Sequence, residues 1–155
     1  MANMTKSQQL LYCIIKKRGE LEDKTKLAKL EYFVDFIHFA FHDKPVSQEE
    51  IVYTRQKQGP LAFNFNDDLK VLKADGCITE NPEYHFKITK DCQVDFTADE
   101  LKTIDYVLGK YGEESYKDLL QISHSQTPYL STKEGSVVEL FTAYNLVDEY
   151  ADYAS

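Results

Sequence analysis

The sequence lacks the motifs that mark several common classes of enzyme. It contains no tryptophan, and its three cysteines form no Cys-x-x-Cys pair. It has no glycine-rich phosphate loop, no Gly-x-Ser-x-Gly nucleophile motif and no His-Glu-x-x-His metal motif. These absences argue against the usual nucleotide-binding, hydrolase and metalloprotease classes. We therefore expect no enzyme activity, no cofactor and no bound metal.

The chain also lacks a long apolar segment at its start. The first ten residues, "MANMTKSQQL", do not form the apolar stretch of a signal peptide or a membrane span. Cys13, Cys77 and Cys92 show no spacing that pairs them, and one would remain unmatched. The sequence therefore predicts a cytoplasmic protein without a membrane segment, whose cysteines are unpaired, unreactive thiols in a reducing compartment.

Composition indicates a single globular domain with an uneven charge. The 155 residues are 43% hydrophobic and 13% aromatic, which is enough to bury one core, so residues 1–155 are expected to form one domain. Residues 1–90 carry 14 Lys and Arg against 13 Asp and Glu, whereas residues 91–155 carry 4 against 13. The acidic part would repel phosphate, so nucleic-acid binding would have to rest entirely on residues 1–90. It could favour a basic protein partner or simply keep the chain soluble.

Helix-start patterns and one change of period predict a mainly α (α+β) fold. Capping boxes of the form S/T-x-x-E/Q begin at Thr5, Ser47, Thr97 and Ser136. We expect about six helices, near residues 5–18, 24–42, 64–75, 97–111, 115–124 and 136–152. Alternating apolar residues predict a small β-hairpin at 77–80 and 84–89, which makes the middle of the chain winged-helix-like. Residues 49–55 fit a short helix or a strand equally well.

The second predicted helix carries one polar stripe. Glu31, Asp35, His38 and His42 follow each other at i, i+4, i+7 and i+11, so they share a face of an otherwise apolar helix. The two histidines at i, i+4 could bind a metal with a carboxylate, but no further ligand stands at a usual spacing. The stripe could instead face solvent, or form a hydrogen-bonded seam against a partner or another segment.

Three stretches in order carry a family resemblance. They are "KLAKLEYFVDFIHF" (26–39), "QGPLAFNFNDDLKVLKADGCI" (58–78) and "ISHSQTPY" (122–129). Together they resemble the Panacea domain, the SocA-like antitoxin family, over roughly residues 24–135. This chain departs from the family pattern at Gln58, where tyrosine is usual, at Ile122-Ser123, where Leu-Thr is usual, and at Tyr129, where tryptophan is frequent.

The resemblance implies a non-enzymatic protein that binds and neutralises a toxin, encoded nearby, and that in a few members delivers the toxin to a protease. It highlights a seam for partner binding or for structure, formed by Asp35, His38, Gly59, Pro60, His124 and Tyr129. Gly59 and Pro60 would form a stiff turn, and His124 would hydrogen-bond to Asp35 or His38. The final helix would supply a partner contact through Tyr144, Tyr150 and Tyr153.

A winged-helix transcription regulator is the alternative. It would use the helix at 64–75 and the hairpin to bind DNA, with phosphate contacts from Arg55, Lys57, Lys70, Lys73, Lys87 and Lys90. Asp67, Asp68 and Asp75 on the same helix weaken this interpretation, because they would repel the phosphates.

Overall fold

The computed structural model describes residues 4–48, 50–83 and 85–154. The α-helices are α1 (Lys6–Arg18), α2 (Lys24–His42), α3 (Phe65–Ala74), α4 (Ala98–Tyr111), α5 (Tyr116–His124) and α6 (Thr127–Leu130). The strands are β1 (Glu20–Leu21), β2 (Tyr53–Gln56), β3 (Gly59–Ala62), β4 (Ile78–Glu80), β5 (Phe86–Ile88) and β6 (Val137–Val138). Two 3₁₀ helices follow, Leu140–Leu146 and Ala151–Ala154. Among the described residues, no helix is both long and apolar enough to span a bilayer.

Helix α2 forms the centre of the fold, as its apolar sequence predicts. The Asp23 carboxylate accepts hydrogen bonds from the backbone of Thr25 and Lys26, which fixes the start of the helix. The helix ends at Asp43, which adopts a left-handed conformation with φ 65°. Helices α1, α4 and α5, strand β3 and the first 3₁₀ helix all pack against it. Its apolar side chains therefore lie in one core that the helices and both sheets share.

The first sheet confirms the winged-helix-like middle of the chain. Strands β4 and β5 form the predicted hairpin, and β1 pairs with β5, so the antiparallel order is β1-β5-β4. Helices α1, α2 and α3 come before this hairpin, with β1 between α1 and α2. This is the element order of a winged-helix module, with the hairpin β2–β3 inserted between α2 and α3.

The second sheet was only partly expected. Residues 53–56 are a strand, which resolves the ambiguous segment, and the sheet order is β3-β2-β6. Gly59 and Pro60 do not form the predicted turn. The turn is at residues 57–58, and Gly59 and Pro60 begin strand β3 at the edge of the sheet, where a proline is tolerated. The described residues around the Ser47 capping box form no helix, and the Ser47 backbone N–H donates to the Asp35 carboxylate.

The prediction of a long final helix over 136–152 is wrong. Gly135 N–H donates to the Arg55 carbonyl at 2.7 Å, and Arg55 N–H donates to the Ser136 carbonyl at 2.9 Å, so this segment joins strand β2. Two β-branched residues, Val137 and Val138, then continue the pairing as β6. The chain only afterwards turns into the two short 3₁₀ helices.

The expectation of three unpaired thiols is also wrong. Cys77 and Cys92 form a disulfide, while Cys13 is a free, buried thiol. The two bonded cysteines are 15 residues apart in sequence, and their Cα atoms lie 6.1 Å apart. The hairpin β4–β5 between them reverses the chain and brings them together, which spacing alone could not show.

Candidate functional site

Asp35, His38 and His124, which the sequence predicted to form one seam, are not hydrogen-bonded to one another, and Asp35 and His38 have different partners. Asp35 is fully buried; its carboxylate accepts a hydrogen bond from the Ser47 backbone at 2.8 Å and another from the Tyr53 hydroxyl at 2.6 Å. Burial raises the pKa of Asp35 to about 6, although these hydrogen bonds oppose the rise. Asp35 therefore ties helix α2 to the chain that follows it.

His38 and His42 belong to a hydrogen-bonded cluster with the C-terminal chain. Their rings stack at 4.4 Å, and His38 Nδ1 is 2.8 Å from Thr103 Oγ1. His42 Nε2 is 2.8 Å from the Tyr153 hydroxyl. Burial, and then the nearby His42, lower the pKa of His38 to about 4, so it is neutral at neutral pH. Within the described residues, no three His, Cys, Asp or Glu side chains are placed to hold a metal ion.

Two of the three tyrosines proposed as partner contacts lie in the interior, so their predicted exposure is wrong. Tyr150 is fully buried and accepts a hydrogen bond from Gln126 Nε2 at 2.7 Å. Tyr153 is buried against Thr103, with 2.7 Å between their hydroxyl oxygens. The chain after β6 folds back onto the core instead of presenting one face of a helix. Tyr144 remains exposed, with 47% of its surface accessible.

Gly59 and Pro60 line a cleft between helix α2, the β2–β3 hairpin and the start of α3. This cleft, called here the Lys29 cleft, has a volume of about 200 Å³. Its lining includes Lys24, Lys29, Gln58, Gly59 and Asn66. The apolar part of the lining is formed by Ala28, Pro60, Leu61 and Phe65. The cleft therefore combines an ammonium group and side-chain amides with an apolar wall.

Lys29 is the unusual residue of this cleft. Its side chain belongs to a residue that is only 2% exposed, and its ammonium group has no hydrogen bond or ion pair with a described residue. Burial lowers the pKa of Lys29 to about 8, and the charge of Asp23 opposes the shift only in part. A Cβ atom built on Gly59 would lie 2.5 Å from Lys29 Nζ and 3.1 Å from Ser123 Oγ. Lys29 thus lies directly against the hairpin and against helix α5.

A stack of three side chains adds positive charge beside Lys29. The His124 and Tyr129 rings stack at 4.0 Å with an angle of 11° between them, and the Arg55 guanidinium lies 4.0 Å from the Tyr129 centroid. Arg55 donates to the Thr132 carbonyl, but Arg55 Nε and His124 Nε2 are buried without a partner among the described residues. Burial, then the charges of Lys29 and Arg55, lower the pKa of His124. The structure therefore brings Gly59, His124 and Tyr129 into one basic neighbourhood.

A second exposed feature lies near the C-terminus. Val137, Phe141 and Tyr144 are all exposed, Phe141 by 62%. Phe141 and Tyr144 are three residues apart in a 3₁₀ helix, so they share one face. Val137 and Phe141 line a groove of about 510 Å³ with polar residues of helix α6 and the following loop. These three residues are called here the C-terminal patch.

Sequence reasoning missed Lys29 and Ser123 as site residues and considered Arg55 only as a phosphate contact. One signal could have identified Lys29. A helix that is apolar around most of its circumference must bury some of its lysines. A lysine with no acidic residue four positions away in the sequence then has no local ion-pair partner. Lys26, by contrast, pairs with Glu22 at 2.8 Å. No comparable signal existed for Ser123, because its position depends on how α5 packs against β3.

Comparison with known proteins assigns a family but supplies no individual relative. No curated protein and no solved structure matches this chain. A family model described as "Antitoxin SocA-like, Panacea domain" matches residues 27–130, a range that includes the Lys29 cleft except for Lys24 and Thr25 and ends before the C-terminal patch. Because the match covers more than half of the 155 residues, the chain belongs to the SocA-like antitoxin family with the Panacea domain.

Proposed function

We propose that this protein is an antitoxin that neutralises a toxin protein by binding it directly. The observation that carries the proposal is the family match over residues 27–130. The toxin is expected to be encoded beside this protein, as the family resemblance implies. Some members of the family deliver their toxin to a protease, and such delivery would be an additional consequence of the same contact.

The C-terminal patch is the surface we assign to the toxin. It exposes aromatic side chains, which protein interfaces favour at their centres. It also lies beyond the residues that the family model matches, where a contact specific to one toxin can differ between relatives. The chain from residue 91 onward carries 4 basic against 13 acidic residues, so a basic toxin surface would complement it.

Co-purification with the neighbouring gene product tests both the function and the surface. Phe141→Asp places a charge in the middle of the patch, whereas Phe63→Asp places the same charge on a residue that is 80% exposed elsewhere, beside strand β3. We expect Phe141→Asp to abolish co-purification and Phe63→Asp to preserve it. Co-purification by both variants would contradict the assigned surface, and its absence with the wild-type protein would contradict the proposed partner.

A cytoplasmic location is part of this proposal. An antitoxin acts where its toxin is made, and the cytoplasm keeps most cysteines reduced. The disulfide between Cys77 and Cys92 is the feature that opposes this location. Thiol labelling of the protein in the redox state it has in cells tests this location. For a cytoplasmic protein, both cysteines should be reduced and should label rapidly once the protein is denatured. Labelling that occurs only after a reductant is added would contradict that location.

DNA binding is the second candidate, because the order α1-β1-α2-α3-β4-β5 is that of a winged-helix module once the inserted hairpin β2–β3 is set aside. The charges oppose it. Asp67 is exposed on α3, Glu83 is exposed at the hairpin, and Lys73 is paired with Glu80. A gel-shift titration with random duplex DNA at low salt distinguishes the two functions. We expect no shift; a robust shift that weakens with salt would favour the regulator.

A further inference from the structure

We propose that the Lys29 cleft binds a small organic anion, whose carboxylate or phosphate group contacts the Lys29 ammonium while its apolar body lies against Pro60, Leu61 and Phe65. Neither the family match nor the antitoxin proposal assigns a ligand to this cleft. The inference rests on the charge, the burial and the lining of the cleft, and it does not depend on toxin binding.

Lys29 supplies the charge of the cleft. Lysines are almost never as deeply buried as this one unless they are paired, and partial burial of an unpaired ammonium group is costly. The nearest acidic influence, Asp23, is already engaged in capping helix α2. The groups that face Lys29 from β3 and α5 are the backbone of Gly59 and the hydroxyl of Ser123. Neither of them carries a negative charge, so an anion in the cleft would supply the missing partner.

Arg55 strengthens the positive potential near Lys29. Arg55 on β2 and His124 on α5 both keep a buried nitrogen without a partner among the described residues. Arg55 forms no ion pair with a described acidic residue; its one hydrogen bond goes to the Thr132 carbonyl. Neither side chain lines the cleft, and the lowered pKa of His124 keeps its ring uncharged at neutral pH. The contribution of Arg55 is therefore electrostatic, because its charge raises the potential at which an anion would reach Lys29.

The lining sets the chemical class of the ligand. Gln58 and Asn66 line the cleft, and their side-chain amides make no hydrogen bond to a described residue, so they can donate to a second oxygen of the anion. The rest of the wall is largely apolar and includes Phe65, which is 2% exposed. A volume of about 200 Å³ accommodates a ring-sized body with one charged group. Benzoate and phenyl phosphate have this combination and differ only in the anionic group.

Titration calorimetry with benzoate and with phenyl phosphate, at constant ionic strength, tests the proposal. The matched variants are Lys29→Met, which removes the charge but keeps an apolar stem, and Lys117→Met, which removes an exposed lysine that does not line the cleft. We expect saturable binding of at least one probe by the wild-type protein, an affinity within twofold in Lys117→Met, and at least a tenfold loss in Lys29→Met. Binding of benzoate alone assigns a carboxylate ligand, and binding of phenyl phosphate alone assigns a phosphate ligand.

Amide chemical shifts of the wild-type protein locate the binding without any substitution. Addition of the bound probe is expected to shift the amide signals of Gln58 and Gly59 first. The proposal is overturned if neither probe binds saturably, if Lys29→Met binds as well as the wild-type protein, or if the shifts occur away from the cleft. Failure of any of these tests would leave the toxin-binding proposal intact, because that proposal is tested by co-purification.

Discussion

The side-chain nitrogen of Lys29 occupies the space that a side chain at residue 59 would need. A Cβ atom built on Gly59 would lie 2.5 Å from Lys29 Nζ, a distance that real Cβ contacts do not reach. Gly59 also has φ +110°, a backbone conformation that residues with a Cβ rarely adopt. The backbone conformation therefore requires glycine here, and a Cβ at residue 59 would also force the end of the Lys29 side chain to shift.

Gly59→Ala should destabilise the protein more than a glycine-to-alanine substitution at a site where only the positive φ angle opposes alanine. Gly19 has φ +90° and no atom within 4 Å of its Cβ position, so Gly19→Ala measures that penalty by itself, about 1–3 kcal/mol. We expect Gly59→Ala to lower the free energy of unfolding in urea further, and the excess to shrink in a Lys29→Ala background. Equal effects at the two glycines would mean that Lys29 is not in contact with residue 59.

Phe36→Ala should be one of the most damaging core substitutions. Phe36 is fully buried in the middle of helix α2 and contacts the Tyr32 and Tyr53 rings. Loss of its ring should lower the free energy of unfolding by about 3–5 kcal/mol. Phe63→Ala removes the same ring from an exposed site and should change stability by less than about 0.5 kcal/mol. Similar losses in the two variants would contradict the described position of helix α2.

The Glu31 carboxyl should make the protein less stable as the pH rises. Both of its oxygens are buried without a partner among the described residues, and burial, followed by the charges of Asp35 and Asp68, holds its pKa well above the usual range. The folded state therefore keeps a proton that the unfolded chain releases. Below the unfolded pKa, near 4.5, the two states are equally protonated and Glu31 has no effect; above it, stability falls until the folded pKa is passed.

The neutral variant Glu31→Gln checks this sign. Its unfolding free energy should equal or fall slightly below that of the wild-type protein at pH 4 and exceed it at pH 8, when both are measured in urea. Glu139→Gln, at an exposed carboxyl, should show the same pH dependence as the wild-type protein. An advantage of Glu31→Gln that grows toward low pH would contradict the buried, protonated carboxyl.

The disulfide should stabilise the purified, oxidised protein. It closes a loop of 15 residues, for which the loop-entropy model gives about 3 kcal/mol. Reduction, or the double change Cys77→Ser with Cys92→Ser, should lower the unfolding free energy by about that amount. Cys13→Ser should leave the dependence on reductant unchanged, since Cys13 is not bonded. Peptide mapping that links Cys13 to another cysteine would contradict the assigned pairing.

Local patterns predicted those parts of the fold that local interactions decide. The capping boxes at Thr5 and Thr97 form as expected, because each depends on groups only three residues apart. The same pattern at Ser136 failed. There the backbone pairs with β2, a contact more than 70 residues distant in sequence, and a distant partner overrode the local preference.

The candidate site was less predictable for the same reason. The resemblance named Gly59, His124 and Tyr129, which do lie together, but it also joined them to Asp35 and His38, which lie elsewhere on the long helix. Tyr150 and Tyr153 look like surface residues in sequence because acidic residues surround them. In the structure, Gln126 donates a hydrogen bond to the Tyr150 hydroxyl, and Thr103 is hydrogen-bonded to the Tyr153 hydroxyl. Both contacts form only when the C-terminal chain folds back onto the core, so the local sequence could not show them.

Growth of cells that express the neighbouring gene product tests the antitoxin function most directly. We expect this product alone to arrest growth and co-expression of the wild-type protein to restore it. The Phe63→Asp variant should restore growth as well, whereas Phe141→Asp and the core variant Phe36→Asp should not. A neighbouring product that is harmless by itself, or a rescue that persists with Phe36→Asp, would contradict the account.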